Sequence, residues 1–282
     1  MKKTNFYGLL AVFAMLFIGV TSCKDNGDDP NAGKIDPSTI ATDSLVAYFP
    51  FDGNGVDQIS SLTPSSNSYV TYVTGRRNQC YQGDTLAYLK YSLSSTSKLA
   101  TMTDGFTVSA WVKSSAINGK SAPAQGILQI DRSDGDTNWG NLNWFQERDN
   151  QETSTDSCFY KCTFNANSDT NWGVENFFSK FLANKWQYIT LTYNSTTSIF
   201  NMYINGVVYS ERTHDSNGAG ELTFTGADYM VVGTWVNNAV YTAVSWQDYF
   251  RGNLDELRIY NAGLSASQVK ELYDAEVTQL TE

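Results

Sequence analysis

The sequence predicts an all-β fold in which two antiparallel sheets pack as a sandwich closed by one short C-terminal helix. Two patterns carry the prediction. From Ser44 onward, apolar and polar residues alternate in short runs separated by turn formers, as in strands with one buried face. Only the last stretch changes period, and no helical stretch lies between strands, which excludes a parallel sheet built on helical crossovers. With 41% hydrophobic and 17% charged residues the chain has enough apolar surface for a sizeable core, so it is not a disordered protein.

Residues 1–22 read as a targeting segment outside the fold. Lys2 and Lys3 give a positive start, and the apolar run Leu9 to Val20 is shorter than a membrane-spanning helix requires. Val20-Thr21-Ser22-Cys23 resembles a bacterial lipobox, whose cysteine, here Cys23, becomes the lipidated first residue. Residues 23–43 then read as a polar, flexible tether beginning Lys24-Asp25-Asn26-Gly27-Asp28-Asp29. A lysine followed by acids in that place resembles the export signal of surface lipoproteins in Bacteroidota-type bacteria. The expected location is the outer membrane, exposed at the cell surface, with membrane contact only through the lipid.

The domain itself is expected over 44–282. Leu45, Ala47, Phe49 and Phe51 share one face of a first strand, and Pro50 marks its end or an edge. Phe106, Val108, Ala110 and Val112 alternate with Thr107, Ser109, Trp111 and Lys113. Ile189, Leu191 and Tyr193 repeat the pattern. Asn205-Gly206, between Phe200 to Ile204 and Val207 to Tyr209, is the preferred pair for a two-residue hairpin turn. Ser265-Ala266-Ser267-Gln268 is a capping box, and Val269, Leu272, Tyr273 and Glu276 follow at helical spacing, so the closing helix starts here. A long insertion is expected at about 114–185. It holds the pentapeptide Asp-Thr-Asn-Trp-Gly twice, at 136–140 and 169–173, and both copies read as loop tips presenting a tryptophan.

Composition narrows the chemistry. Nineteen basic residues against 29 acidic ones give a net charge of −10, and loss of Lys2 and Lys3 with the leader makes the remainder −12. Such a chain is not built to neutralise phosphates, so nucleic acid is not an expected partner. His214 is the single histidine, which excludes multi-histidine metal sites. Besides Cys23, three cysteines remain: Cys158 and Cys162 are close enough for a small disulfide loop, whereas Cys80 reads as a buried small hydrophobe.

Five stretches together resemble the laminin-G-like, concanavalin A-like lectin/glucanase jelly roll domains. They are Leu45 to Gly55 (Leu-Val-Ala-Tyr-Phe-Pro-Phe-Asp-Gly-Asn-Gly), Phe106 to Lys113, Trp186 to Leu191, Tyr203 to Gly206, and Gly252 to Tyr260 with Leu264-Ser265. The resemblance implies an antiparallel two-sheet jelly roll sandwich, a terminal helix packed on it, and a structural calcium for which Asp52, Asn54 and Asp255 would supply oxygens. The glycine-rich continuation usual in that family is missing after Asp57.

The expected function is that of a surface-anchored, non-catalytic carbohydrate-binding protein. Sugar sites combine aromatic rings with Asp, Asn, Gln and Arg, and such mixtures occur at Asp131-Arg132 with Trp139, at Asn171-Trp172, and at Trp235-Val236-Asn237-Asn238 with Tyr241 and Trp246. The ligand-binding candidates are Asp131, Arg132, Trp139, Asn171, Trp172, Trp235 and Asn237. Trp111 and Trp186 lie in regular strands and read as packing residues. A protein-binding adhesin or structural surface module is the alternative. A glycoside hydrolase or polysaccharide lyase is less expected, because no run places two carboxylates on one strand face and Asp255 and Glu256 are adjacent.

Overall fold

The alternation sorts the chain into two sheets whose facing sides share one core. The computed structural model describes residues 34–117, 122–133, 138–147, 159–167, 183–213 and 220–280, with the backbone of 169–174. Strands β1 (Leu45–Phe49), β2 (Ser66–Ser68), β3 (Thr71–Thr74), β4 (Gln79–Gly83), β5 (Tyr88–Ser92) and β6 (Gly105–Ser114) come first. Next are β7 (Ala124–Ile130), β8 (Leu142–Glu147), β9 (Phe159–Ala166) and β10 (Asp169–Val174). They are followed by β11 (Gln187–Asn194), β12 (Ile199–Ile204), β13 (Val207–Thr213) and β14 (Tyr229–Val232). A four-residue helix α1 (Val236–Ala239), β15 (Gln247–Tyr249), β16 (Gly252–Tyr260) and helix α2 (Ala266–Thr278) complete the order.

The first sheet runs β13-β12-β11-β6-β16-β4-β3, with β1 also paired to β16. The second runs β10-β9-β8-β7-β14-β5-β2, and β15 joins it by parallel pairing to β7. The other strand pairs are antiparallel. Phe106, Val108, Ala110, Val112, Ile189 and Leu191 meet Leu128, Ile130, Leu142, Trp144 and Phe164 in the shared core. Cys80 and Cys162 are free, buried thiols, Cys162 in that core and Cys80 on the opposite face of β4 from the core residue Tyr81, and burial pushes the Cys80 thiol up to about 12. The Cys158–Cys162 bridge is therefore not formed. Cys162 follows Tyr160 and precedes Phe164 on the inward face of β9, so its sulfur is packing material.

Helix α2 covers the outward face of the first sheet. Its capping box forms as predicted, Ser265 accepting from the Gln268 amide while Gln268 accepts from that of Ser265. Val269, Leu272 and Ala275 pack on Trp111, Tyr188, Tyr203 and Tyr260. One carboxylate is buried with them. Glu276 accepts from the Trp111 indole at 3.1 Å and from the Arg258 guanidinium, which also reaches Glu256 at 3.1 Å and lies 4.1 Å over the Tyr48 ring. This network pins the helix to β16.

Three expectations change. Leu45 does not share the core face with Ala47, because a bulge between them turns Leu45 toward α2 while Val46 enters the core. Residues 34–43, expected within the tether, carry 3-10 turns at Pro37–Thr39 and Thr42–Ser44, and Ile40 is buried among the α2 contacts. The stretch 114–185 supplies β7 to β10, half of the second sheet, and is not an insertion into a finished sandwich. Its strands were obscured because their outward residues are polar and buried, as Gln129, Asn143, Thr163 and Asn165 show. The leader, Cys23, Cys158 and His214 lie outside the described residues.

Candidate functional site

The outward face of the second sheet begins with side chains that alternation turns away from the core. On β8, Leu142 and Trp144 point inward, leaving Asn143 and Phe145 outward. Gln129 on β7 donates to Asn143, whose own amide group donates to Thr163 on β9 at 2.7 Å. This polar row is buried, and the segments crossing it satisfy it: Gly140 donates to Asn143 and Val236 donates to Gln129. Fixed partners of this kind hold the covering loops in one place.

Above Phe145 the covering segments converge three tryptophans. Trp235 lies 4.9 Å from Phe145, 5.9 Å from Trp139 and 5.1 Å from Trp246, and Trp139 is 5.2 Å from Trp246. Gly126 permits the arrangement, since a Cβ there would stand 2.6 Å from the Thr234 carbonyl carbon and 2.8 Å from the Trp235 nitrogen. The three rings differ in exposure. Trp235 is 1% exposed and its indole donates to the Ala124 carbonyl at 2.8 Å. Trp139 is half-buried, and Trp246 is 37% exposed. The cluster thus has a floor, Trp235 with Phe145, and an accessible rim.

The covering segments also carry polar groups. Tyr241, 39% exposed, donates to Asp131 at 2.8 Å, and the other Asp131 oxygen accepts from the Arg132 amide. Burial, then the Asp131 carboxylate, pushes the Tyr241 phenol well above its ordinary range, so it remains a neutral donor. Asn138 accepts from Asn237 at 3.0 Å and, through its carbonyl, from Gln247 at 3.2 Å. The Gln247 Oε1 atom is buried and has no partner among the described residues.

Of the residues singled out in the sequence, Trp139, Trp235 and Asn237 come together at this cluster, whereas Asp131 and Arg132 follow the end of β7 opposite to Ala124, where the Trp235 indole is bonded. Trp235 and Asn237 take part differently from expectation: both are buried and hold the loops, because each has a protein partner for its polar atom. Asn171 and Trp172 lie within strand β10, with Trp172 opposite Thr163, and not at a loop tip. Their side chains are outside the described residues. Tyr241 and Trp246, recognised in the sequence only as companions of Trp235, are both exposed, and Trp246 forms the accessible rim of the cluster. Phe145, Asn138 and Gln247 carried no sequence signal beyond their type.

The calcium candidates do not form a ligand set. Asp52 accepts from the Asn78 side chain and the Gln79 amide, both at 3.0 Å, while Asn54 turns its amide to the Asp52 carbonyl. Asp255 accepts from the amides of Arg76 at 2.7 Å and Arg77 at 3.0 Å. N–H donors of the β3–β4 turn thus stand against these carboxylates, an arrangement that does not fit a cation. Among the described residues no three His, Cys, Asp or Glu side chains are grouped to hold a metal.

A two-sheet sandwich with a helix sealing one outward face and a tryptophan cluster on the other defines a lectin-like β-sandwich. The chain belongs to the Laminin_G_3 family of the concanavalin A-like lectin/glucanases superfamily, whose model matches residues 88–270. No curated protein matches it in sequence. Among solved structures it is similar to the botulinum neurotoxin serotype G binding domain, with 14% identity and a TM-score of 0.57. That match covers 81% of this chain and 50% of the other, so the chain spans half the length of that relative. It is also similar to domain 4 of AbnA, an extracellular GH43 arabinanase from Geobacillus stearothermophilus in complex with arabinotriose. There the identity is 17%, the TM-score 0.54, and the coverage 82% of this chain and 98% of that one. These likenesses are of fold.

Proposed function

We propose that the protein is a non-catalytic carbohydrate-binding module, anchored to the cell surface through Cys23, that holds a glycan against the rim of Trp246 and Trp139. The observation that carries this reading is the convergence of three indoles within 6 Å of one another with Trp246 left 37% exposed. A sugar stacks its C–H face on such a ring and directs hydroxyls to neighbouring acceptors and donors. A related fold holding arabinotriose agrees with it. The non-catalytic part is supported by the placement of the carboxyl groups that burial shifts upward among the described residues, Asp255 and Glu276. Both belong to the network between the first sheet and α2, on the other side of the sandwich from the cluster. A glycosidase needs such a group at the scissile bond.

Glycan arrays followed by affinity electrophoresis on polysaccharide gels test the assignment. Trp246→Ala and Trp139→Ala should each abolish retardation while leaving the melting curve close to wild type, and unchanged retardation in both would remove the site. The protein-binding alternative has one observation in its favour, the exposed Val207, Val208 and Tyr209 on edge strand β13.

A further inference from the structure

A second pair of rings lies on the same face of the same sheet. On β5, Leu89 and Tyr91 enter the core, which turns Tyr88 and Lys90 outward. Phe250 enters the core just after β15, which turns Tyr249 outward. The two phenol rings stack with centroids 6.4 Å apart and planes 29° from parallel. Neither ring belongs to a cluster of packed apolar side chains, and both are half-buried. Neither hydroxyl has a hydrogen-bond partner among the described residues, whereas the fully buried Tyr81 and Tyr91 hydroxyls donate to backbone carbonyls. Packing therefore leaves the pair unexplained.

The strand register ties the pair to the tryptophan cluster. Tyr249 stands opposite Gly126 on β7, and Gly126 stands opposite Phe145 on β8, so one row across three strands runs from the floor of the cluster to Tyr249. Two strand spacings separate the ends of that row, roughly 10 Å. Along the chain, Trp246 and Tyr249 are three residues apart on one nearly extended segment, again roughly 10 Å. A single sugar cannot touch rings so far apart, but a chain of sugars can. Lys90, whose amine lies 5.4 Å over the Tyr229 ring, and Arg251, paired to Asp248 at 2.7 Å, add hydrogen-bond donors along this stretch.

We infer that the ligand of this face is an extended glycan chain bound along the sheet, with Trp246 and Trp139 holding one part and the Tyr88–Tyr249 pair holding a second part further along. The inference rests on the carbohydrate-binding reading and adds to it the class of ligand: an internal stretch of polysaccharide in place of a terminal monosaccharide. The tyrosine pair acts as a sequence-tolerant platform, giving affinity through ring area and keeping both hydroxyls free for the sugar rim.

Isothermal titration with neutral arabinan, xylan and β-glucan oligosaccharides, from dimer to hexamer, tests it on the full mature chain. In the series that binds, wild-type affinity should rise with length to a plateau. Tyr88→Ala and Tyr249→Ala should weaken the hexamer about tenfold and the dimer less than about twofold, flattening the length dependence, whereas Trp246→Ala should weaken every length. Both tyrosines are partly exposed, so the variants should melt with wild type, and Tyr249→Phe should retain most of the hexamer affinity. Equal wild-type affinity for dimer and hexamer, or equal losses for both in the tyrosine variants, would overturn the extended-chain inference and leave the tryptophan site standing. Binding of no oligosaccharide in any series would overturn the carbohydrate reading and this inference with it.

Discussion

Trp235 and Trp246 touch each other, yet they should respond oppositely to truncation. Trp235 is 1% exposed, packs on Phe145, Trp139 and Trp246, and donates its indole hydrogen to Ala124. Removing a buried tryptophan side chain costs about 3–5 kcal/mol, and the orphaned Ala124 carbonyl places Trp235→Ala toward the upper part of that range, about 4–5 kcal/mol. For a domain of this size each kcal/mol lowers Tm by about 2–4 °C, so a fall of roughly 10–15 °C is expected. Trp246, 37% exposed, has no such bond among the described residues, and Trp246→Ala should cost about 1 kcal/mol or less. Urea unfolding monitored by fluorescence measures both, and oligosaccharide titration at 15 °C below each variant's own Tm separates binding from folding. A Trp235→Ala protein as stable as wild type, or a Trp246→Ala protein as destabilised as Trp235→Ala, would refute the division of the cluster into floor and rim.

Glu276→Ala should cost about 3 kcal/mol, because it leaves the buried Arg258 guanidinium with Glu256 as its remaining carboxylate and the Trp111 indole without its acceptor; hydrogen exchange should report early opening of α2, and an unchanged exchange rate there would count against the anchor. Burial pushes the Asp255 carboxyl up to about 8 from an ordinary 3.8, with Glu256 and Glu276 adding to the rise against the opposing amides of Arg77 and Arg76. A raised carboxyl means that the folded chain keeps a proton that the unfolded chain releases. Its stabilising share is therefore complete below about pH 4 and lost as pH rises toward 8. The urea midpoint should fall over that window in wild type and fall less in Asp255→Asn; parallel pH curves would contradict the assignment. Melting curves in calcium and in EDTA should superimpose, since the Asp52 and Asp255 oxygens accept from N–H groups; a rise in Tm with calcium would require that those carboxylates turn.

What was legible in the sequence was local. Asn205-Gly206 announces its hairpin because both positions need a positive φ, and both have one, 51° and 75°. The capping box fixes the start of α2 within a single turn, and period-two alternation sorts β6 and β11 correctly into core and α2-facing sides. Features made by distant partners were not legible. The bulge that turns Leu45 outward depends on pairing with β16, and the buried polar row of the Gln129 and Asn143 amides and the Thr163 hydroxyl looks like loop polarity until β7, β8 and β9 are side by side. The candidate site shows the same limit. Aromatic residues among Asp, Asn and Gly located the right segments, but which ring is buried was settled by Gly126, far along the chain, which lets the Thr234–Trp235 backbone lie on the sheet.

The two outward faces explain why the site lies where it does. The first sheet spends Trp111, Tyr188, Tyr203 and Tyr260 on α2, and Glu276 and Arg258 lock that contact from inside. Its large rings are thereby consumed by folding. The second sheet has no helix of that length among the described residues, and its outward side is built from amides that hold loops in place and from rings whose packing is incomplete. Incomplete packing is costly for a monomer unless a ligand finishes it, since exposed aromatic area gains most when it leaves water. Trp246, Tyr241, Tyr88 and Tyr249 are among the rings left in that state, and alternation on β5 and β15 places the last two on the face that also carries the tryptophan cluster. The strand geometry that closes the core therefore also sets the line along which a bound chain would run.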